Sequence, residues 1–306
     1  MSKKILFMGT PDYATTIFKE LMNSEYEIVG LFTQPDKPVG RKQILTAPHI
    51  KQYCIDENIN LPIFQPLKLR GNEEATKQIT ELKPDFIIVA AYGQILPKEI
   101  LDIAPCINLH ASLLPKYRGA SPIQESLLND DIYTGVTSML MEEGLDSGDI
   151  LGLQYLRITS TMEVSEAFEK LSLIAAKLTI TTLDNFENIK PIKQNESQVS
   201  FCKKIKKEDG LIDFIDAKKL YLKYKAYSYW PGIFLESELK LKDIELNDEK
   251  SINNQGQILA INSDFIIVGC EKGSLKIKTL QAPSKKAMNA IDYIRGQRLE
   301  INSILI

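Results

Sequence analysis

Residues 106–115 read Cys-Ile-Asn-Leu-His-Ala-Ser-Leu-Leu-Pro, and two of them could do chemistry together. The stretch begins as an apolar run of the kind found in strands, where successive side chains alternate between faces. Asn108 and His110 therefore share one face, and Ile107 and Leu109 share the other. A carboxamide can donate hydrogen bonds to a developing oxyanion. An imidazole can exchange a proton near neutral pH. Acyl transfer to an amine needs both. A third candidate, Asp146, lies in Gly144-Leu145-Asp146-Ser147-Gly148-Asp149. The framing glycines predict a loop with unusual backbone angles. An aspartate beside His110 would favour the charged imidazole and hold its orientation. Taken singly, a strand histidine and an Asp turn are more often structural. The chemistry depends on the fold bringing the three together.

The elements that must do so alternate along the first half of the chain. Apolar, strand-like runs at 5–9, 27–33, 86–91, 106–111, 134–141 and 150–158 are separated by helix-like segments at 14–22, 47–57, 72–82, 97–103 and 121–128. The longest helical pattern covers 164–186. This alternation predicts a doubly wound, mostly parallel α/β sheet with right-handed crossovers. Functional groups should then sit at the carboxyl ends of the strands. Residues 190–200 turn polar and lose periodicity, as a linker does. After a helix-like stretch at 217–227, five short strand candidates (233–236, 238–246, 256–261, 265–270 and 275–280) predict a small OB-like β-barrel. The expected division is 1–189, a linker at 190–206, and 207–306. A length of 306 residues suits one large domain and one smaller one.

Several chemistries are set aside. The first strand ends in Gly9-Thr10-Pro11-Asp12, which lacks the glycines of a dinucleotide fingerprint, and Pro11 removes an amide donor. Four scattered cysteines, two histidines and no CxxC pair argue against zinc. No apolar run approaches the roughly 20 residues needed to span a bilayer. The N-terminal residues read as a strand rather than a signal peptide. Reduced thiols and a cytoplasmic location are the resulting expectation. Net charge is −3, but residues 201–306 carry 18 Lys/Arg against 14 Asp/Glu, while the rest of the chain is acidic. A basic C-terminal third is a weak pointer to a polyanionic partner.

Asn108-Leu109-His110, Ser112 to Pro115, Arg118-Gly119-Ala120-Ser121-Pro122-Ile123-Gln124 and Gly144 to Asp149 together resemble the folate-dependent formyltransferase family. Gly9 to Asp12, Gln34 to Pro38 with Gly40-Arg41, Leu280-Gln281 and Lys285 to Met288 extend the resemblance over both predicted domains. It implies a Rossmann-like formyltransferase domain followed by an OB-like one. It also implies 10-formyltetrahydrofolate as co-substrate and no metal. The family's catalytic residues fall on Asn108, His110 and Asp146. Its folate signature falls on Ser112, Leu113, Leu114 and Pro115, with Tyr92, Gly93 and Leu96 beside the pterin. The basic C-terminal region and the 36–46 loop favour members whose acceptor is the α-amino group of methionyl-initiator tRNA. Lys37, Arg41, Lys42, Lys206, Lys285 and Lys286 are the expected RNA contacts, and Lys203, Lys204 and Lys207 would add non-specific phosphate binding. Two other readings stay open: a family member acting on a small-molecule amine, and a non-catalytic RNA-binding module on the same scaffold. A bacterial cytoplasmic monomer is expected.

Overall fold

Ile5, Leu6, Phe7 and Met8 are all fully buried. They form the middle of the first strand in a computed structural model that describes residues 2–40 and 42–305. A strand apolar on both faces has to be covered on both faces, which is the pattern of a parallel sheet between helices. The strands of the first unit are β1 (Lys4–Gly9), β2 (Glu27–Phe32), β3 (Lys37–Val39), β4 (Ile44–Thr46), β5 (Ile63–Phe64), β6 (Phe86–Ala90), β7 (Cys106–His110), β8 (Arg118–Gly119), β9 (Tyr133–Leu140), β10 (Ile150–Arg157) and β11 (Phe201–Cys202). Seven of them form one sheet in the order β10-β9-β7-β6-β1-β2-β5. Pairing is parallel from β5 through β7 and antiparallel at β7–β9 and β9–β10.

Helices α1 (Asp12–Met22), α2 (His49–Asp56), α3 (Glu73–Leu82), α4 (Lys98–Leu101), α5 (Pro122–Leu128) and α6 (Val164–Asn185) follow the strands. α1 buries Tyr13, Ala14, Ile17, Phe18 and Leu21, a stripe at helical spacing, and Phe18 meets Phe7 edge-on at 5.4 Å. α3 starts at Asn72, whose side chain accepts from the Ala75 amide at 3.0 Å. The carboxyl ends of β1, β6 and β7 lie side by side, because Gly9 is opposite Ala90 and Val89 is opposite Asn108. The loops beyond them are tied together: Thr10 Oγ1 and Gln34 Nε2 both donate to the Tyr92 carbonyl, at 3.2 and 3.1 Å.

The second unit contains α7 (Ala217–Tyr227), β12 (Ile233–Phe234), β13 (Lys240–Ile252), β14 (Ile258–Ile261), β15 (Ile266–Gly269), β16 (Lys272–Gln281), β17 (Met288–Asn289) and α8 (Ala290–Gln297). Its sheet is antiparallel, ordered β12-β13-β16-β15-β14, with β17 against β16. The mostly parallel α/β domain followed by a small antiparallel β domain is the arrangement expected from the sequence. α8 was not, since only Ala290, Ile291 and Ile294 mark its buried face.

The compact units do not follow the chain in single stretches. One comprises Met1–Pro122, Tyr133–Arg157 and Phe168–Cys202; the other comprises Ile123–Ile132, Ile158–Ala167 and Lys203–Ile306. Side chains of α7 account for the short excursions. Lys218 pairs with Asp130 at 2.8 Å, the Tyr224 hydroxyl donates to Glu163 at 3.1 Å, and Lys225 Nζ donates to the Ser160 carbonyl at 3.0 Å. Residues 190–202, read as linker, are held against the first unit. Ile192 bridges Ile150, and β11 pairs with β8.

Within the 36–46 segment, read as a loop, β3 pairs antiparallel with β4, and the Val39, Ile44 and Leu45 side chains are exposed. Asp36 anchors its base. Lys51 Nζ donates to both Asp36 oxygens at 2.9 Å, and Gln65 Nε2 donates to Oδ1 at 2.8 Å. The Gln65 amide first, and Lys51 second, hold the Asp36 carboxyl below the usual carboxylate range. A carboxyl shifted down contributes its anchoring above the unfolded value and loses it as pH falls through the lowered one. Protection of the 37–46 amides against hydrogen exchange, relative to their intrinsic rates, should therefore stay constant from pH 8 to 5. It should fall severalfold in a Lys51→Met variant at pH 7, and in the unsubstituted protein only below about pH 4.

Candidate active site

β7 carries two of the three candidate side chains in its last three residues. Within the β7–β9 ladder Asn108 pairs with Met139 and His110 with Thr137. Both side chains leave the same face, as the strand alternation requires, and both are nearly buried, at 9% and 6% exposure. The turn that follows is fixed by its own hydrogen bonds. Ser112 Oγ donates to the Lys116 carbonyl and Thr137 Oγ1 to the Ser112 carbonyl, each at 2.6 Å, while the Leu114 amide donates to Thr137 Oγ1 at 3.0 Å. The Leu114–Pro115 peptide is cis.

Asp146 arrives from the loop between β9 and β10. Leu140 N donates to the Asp149 carbonyl at 2.9 Å and closes that loop. Left-handed backbone falls on Asp146 itself, φ 48°, and not on the glycines that frame it. Aspartate tolerates this region better than most residues, at a cost on the order of 1–3 kcal/mol. Gly148 serves a different need. A Cβ there would stand 1.7 Å from the Leu140 carbonyl oxygen, so only glycine lets the loop close.

The three side chains meet. Asn108 Nδ2 lies 3.3 Å from Asp146 Oδ1, and His110 Nδ1 lies 3.7 Å from Oδ2. Oδ2 also accepts the Gly119 amide at 2.9 Å. His110 Nε2 is 2.9 Å from the Tyr117 carbonyl. A carbonyl only accepts, so Nε2 is a donor. At 3.7 Å the Nδ1 contact with Asp146 is too long for a hydrogen bond. Nδ1 is therefore the ring nitrogen open to a third group. Asn108 likewise keeps one amide hydrogen beyond the one directed at Asp146. The arrangement offers an amide donor, an open imidazole nitrogen and one carboxylate converging from a strand end and a rigid loop. That suits the stabilisation of an oxyanion and the movement of one proton.

The remaining sequence candidates are distributed unevenly. Ser112, Leu114, Tyr92 and Leu96 are buried, at 0%, 4%, 1% and 1% exposure. Tyr92 and Leu96 belong to the core cluster with Leu6, Met8 and Ile87. Their side chains face the interior, so they can offer a ligand only backbone. Leu113 and Pro115 are half-buried, while Gly93 and Ile95 are exposed. Lys37 and Lys42 share the exposed β3–β4 hairpin, and Arg41 lies outside the described residues. Lys206, Lys285 and Lys286 are exposed residues of the other unit. Among the described residues no group of three or more His, Cys, Asp or Glu could hold a metal ion, and all four cysteines are buried.

Sequence reading missed Gln194 and the function of Arg118. Arg118 is 4% exposed, and its Nε and Nη2 donate to Gln194 Oε1 at 3.0 and 2.9 Å. Gln194 Nε2 then donates to the carbonyls of Asp146 and Gly148, at 2.9 and 2.8 Å. Gln194 sits in a polar, aperiodic stretch and gave no signal of its own.

The formyl transferase family matches residues 3–183, and the family of formyl transferase C-terminal domains matches residues 204–298. The chain belongs to the formyl transferase family. It is 57% identical over 298 residues to the methionyl-tRNA formyltransferase of Nitratiruptor sp., covering 97% of this chain and 98% of that one. Identity to the Wolinella succinogenes enzyme of the same name is 52% over 303 residues, 99% of each chain. Among solved structures, the N-formyltransferase from Helicobacter canadensis in complex with folinic acid and dTDP-3-aminofucose aligns with TM-score 0.68 at 15% identity, covering 91% of this chain and 99% of that one. HypX from Aquifex aeolicus in complex with tetrahydrofolic acid aligns with TM-score 0.65 at 17% identity over 96% of this chain, which spans 47% of the HypX chain. These two likenesses concern the fold alone.

The local geometry makes a direct demand on Gly148. A Gly148→Ala variant should retain its circular-dichroism spectrum and lose about a hundredfold in turnover, because displacing the loop by about 1 Å is enough for a loss of that size. Unchanged turnover would mean that the loop position is immaterial.

Proposed function

We propose that this chain transfers the formyl group of 10-formyltetrahydrofolate to the α-amino group of methionyl-initiator tRNA. The observation that carries the reading is the convergence of Asn108, His110 and Asp146 at the carboxyl end of β7. Full-length identity of 52–57% to enzymes named for that acceptor supports the choice of amine. We further assign catalysis to the α/β unit, and RNA binding to the β3–β4 hairpin and the basic C-terminal unit. The chain acts as a monomer in a bacterial cytoplasm. No described helix is long and apolar enough to cross a membrane.

The folate supplies a formyl group on nitrogen as a substrate. Surface features near the end of β6 fit a flat ring. Gly93 has φ 81° and almost open space where a Cβ would stand, and Ile95 is 68% exposed. The backbone there is approachable, and Ile95, Leu113 and Pro115 are the apolar groups free to cover a ring face.

The acceptor nitrogen attacks the formyl carbon. Its new C–N bond forms, the bond to the folate nitrogen breaks, and the proton lost by the amine is matched by one gained on the folate. The free amide hydrogen of Asn108 and, when the ring is protonated, the Nδ1 hydrogen of His110 stabilise the oxyanion that develops on the formyl oxygen. Nε2 stays fixed on the Tyr117 carbonyl, so proton movement takes place at Nδ1, on the side facing Asp146. The Asp146 carboxylate accepts from Asn108 and holds that donor in orientation, with the Nδ1 edge of His110 beside it. Lysines of the hairpin and the C-terminal unit contact phosphates, which position the RNA without reading its sequence.

An oxyanion donor of this kind contributes about 3 kcal/mol in other enzymes. Asn108→Ala should therefore lower kcat about 100- to 1,000-fold while the KM for tRNA stays within about threefold. A filter assay with charged initiator tRNA and with small primary amines checks both statements. Formylation of a small amine but not of the tRNA would overturn the acceptor.

A further inference from the structure

The 190–202 segment has a feature that a linker does not need: a buried primary amide with every hydrogen-bonding position filled. Gln194 is 9% exposed. Its Nε2 gives one hydrogen to the Asp146 carbonyl and the other to the Gly148 carbonyl. Its Oε1 takes two hydrogens from Arg118, through Nε and Nη2. An amide has two hydrogens to donate and two acceptor positions, so none is left over. The Asp146 loop has few other ties. Its closing contact runs from Leu140 to Asp149, and left-handed backbone at Asp146 disfavours the observed conformation without outside support.

Arg118 adds a second link. Its Nη2 also pairs with Glu196 at 2.8 Å, and its backbone amide donates to the Ser200 carbonyl at 2.9 Å. The next residue, Gly119, gives its amide to Asp146 Oδ2. Asp146 is therefore held at two points that both lead to the 190–202 segment. Its main chain is held by Gln194, and its side chain by the strand pair β8–β11. We propose that Gln194 is a positioning residue, which with Arg118 holds the Asp146 carboxylate at the distance His110 and Asn108 require.

The proposal rests on the catalytic reading for its kinetic consequence but not for its structural one, and the experiment separates the two. The full-length chain has only two histidines, His49 and His110. His49 Nδ1 is bonded to Thr15 Oγ1 at 2.8 Å and has no part in the Asp146 loop, so it serves as an internal reference. Histidine-selective ¹⁵N NMR is recorded on the unsubstituted protein and on Gln194→Ala, Gln194→Glu and Gln198→Ala. Gln198 is an exposed residue of the same segment and serves as control. kcat and KM are measured on the same samples.

Gln194→Glu keeps an acceptor for Arg118 but turns a carboxylate oxygen on two carbonyls, so it releases the loop without removing the side chain. In both Gln194 variants the His110 ring signals should move while those of His49 stay in place. kcat should fall about 10- to 100-fold, with both KM values within about threefold. Gln198→Ala should match the unsubstituted protein in every respect. Unmoved His110 signals in a folded Gln194→Glu protein would overturn the positioning role, whatever the kinetics. A moved His110 signal with unchanged kcat would uphold the positioning of Asp146 and count against its part in catalysis. A general loss of folding would move His49 as well; Gln194→Glu moving both rings equally would overturn the proposal in favour of a purely structural role.

Discussion

A carboxylate held away from water is the constraint around which the site is built. The Asp146 side chain is only 14% exposed, and an ionised carboxylate in such a place is costly unless hydrogen-bond donors surround it. Gly119 N and Asn108 Nδ2 are those donors, and the Nδ1 edge of His110 is the charge-compatible neighbour. Two of the three stand on β7 and the third on β8, while Asp146 itself comes from the β9–β10 loop. The requirement that they meet fixes the end of β7, the turn to β8 and the β9–β10 loop relative to one another.

The sheet sets the terms of that agreement. β7 is the last parallel strand before the pairing turns antiparallel at β9, so Leu140 lies opposite Ile107 and the loop after it has to run back along β7 to bring Asp146 to Asn108 and His110. Thr137, on β9 opposite His110, reaches across to fasten both the Ser112 carbonyl and the Leu114 amide. The strain at Asp146, and the left-handed backbone at Tyr117, φ 61°, sit within this hydrogen-bonded frame. Loops on a rigid sheet can carry such conformations because the frame over-determines them.

Much of this was legible in the sequence because it follows from short-range rules. The alternation that puts Asn108 and His110 on one face is a property of any strand, and the buried runs at 5–9 and 86–90 required a covered sheet. The Gly-framed loop was legible as a loop with an unusual backbone angle, but not which residue takes it: Asp146 has the positive φ, and Gly148 answers a close approach of the Leu140 carbonyl. Pairings between distant segments left no local trace. The two-residue strands β8 and β11 are too short for periodicity, and Gln194 looks like any linker glutamine until Arg118 and the Asp146 loop surround it. The 36–46 hairpin was missed because Val39, Ile44 and Leu45 bury nothing, and hydrophobic pattern reports burial. The side chains of Ser112, Tyr92 and Leu96 are buried, Tyr92 and Leu96 in the hydrophobic core, which their motifs did not reveal.

In the proposed reaction Asn108 and His110, and not the Asp146 carboxylate, meet at a single reacting oxygen. A crystal structure of the protein with a stable formyl-folate analogue tests it most directly. The formyl oxygen is expected about 3 Å from both Asn108 Nδ2 and His110 Nδ1, with Nε2 still on the Tyr117 carbonyl. A formyl oxygen more than about 5 Å from both, or His110 turned so that Nε2 faces Asp146, would contradict it.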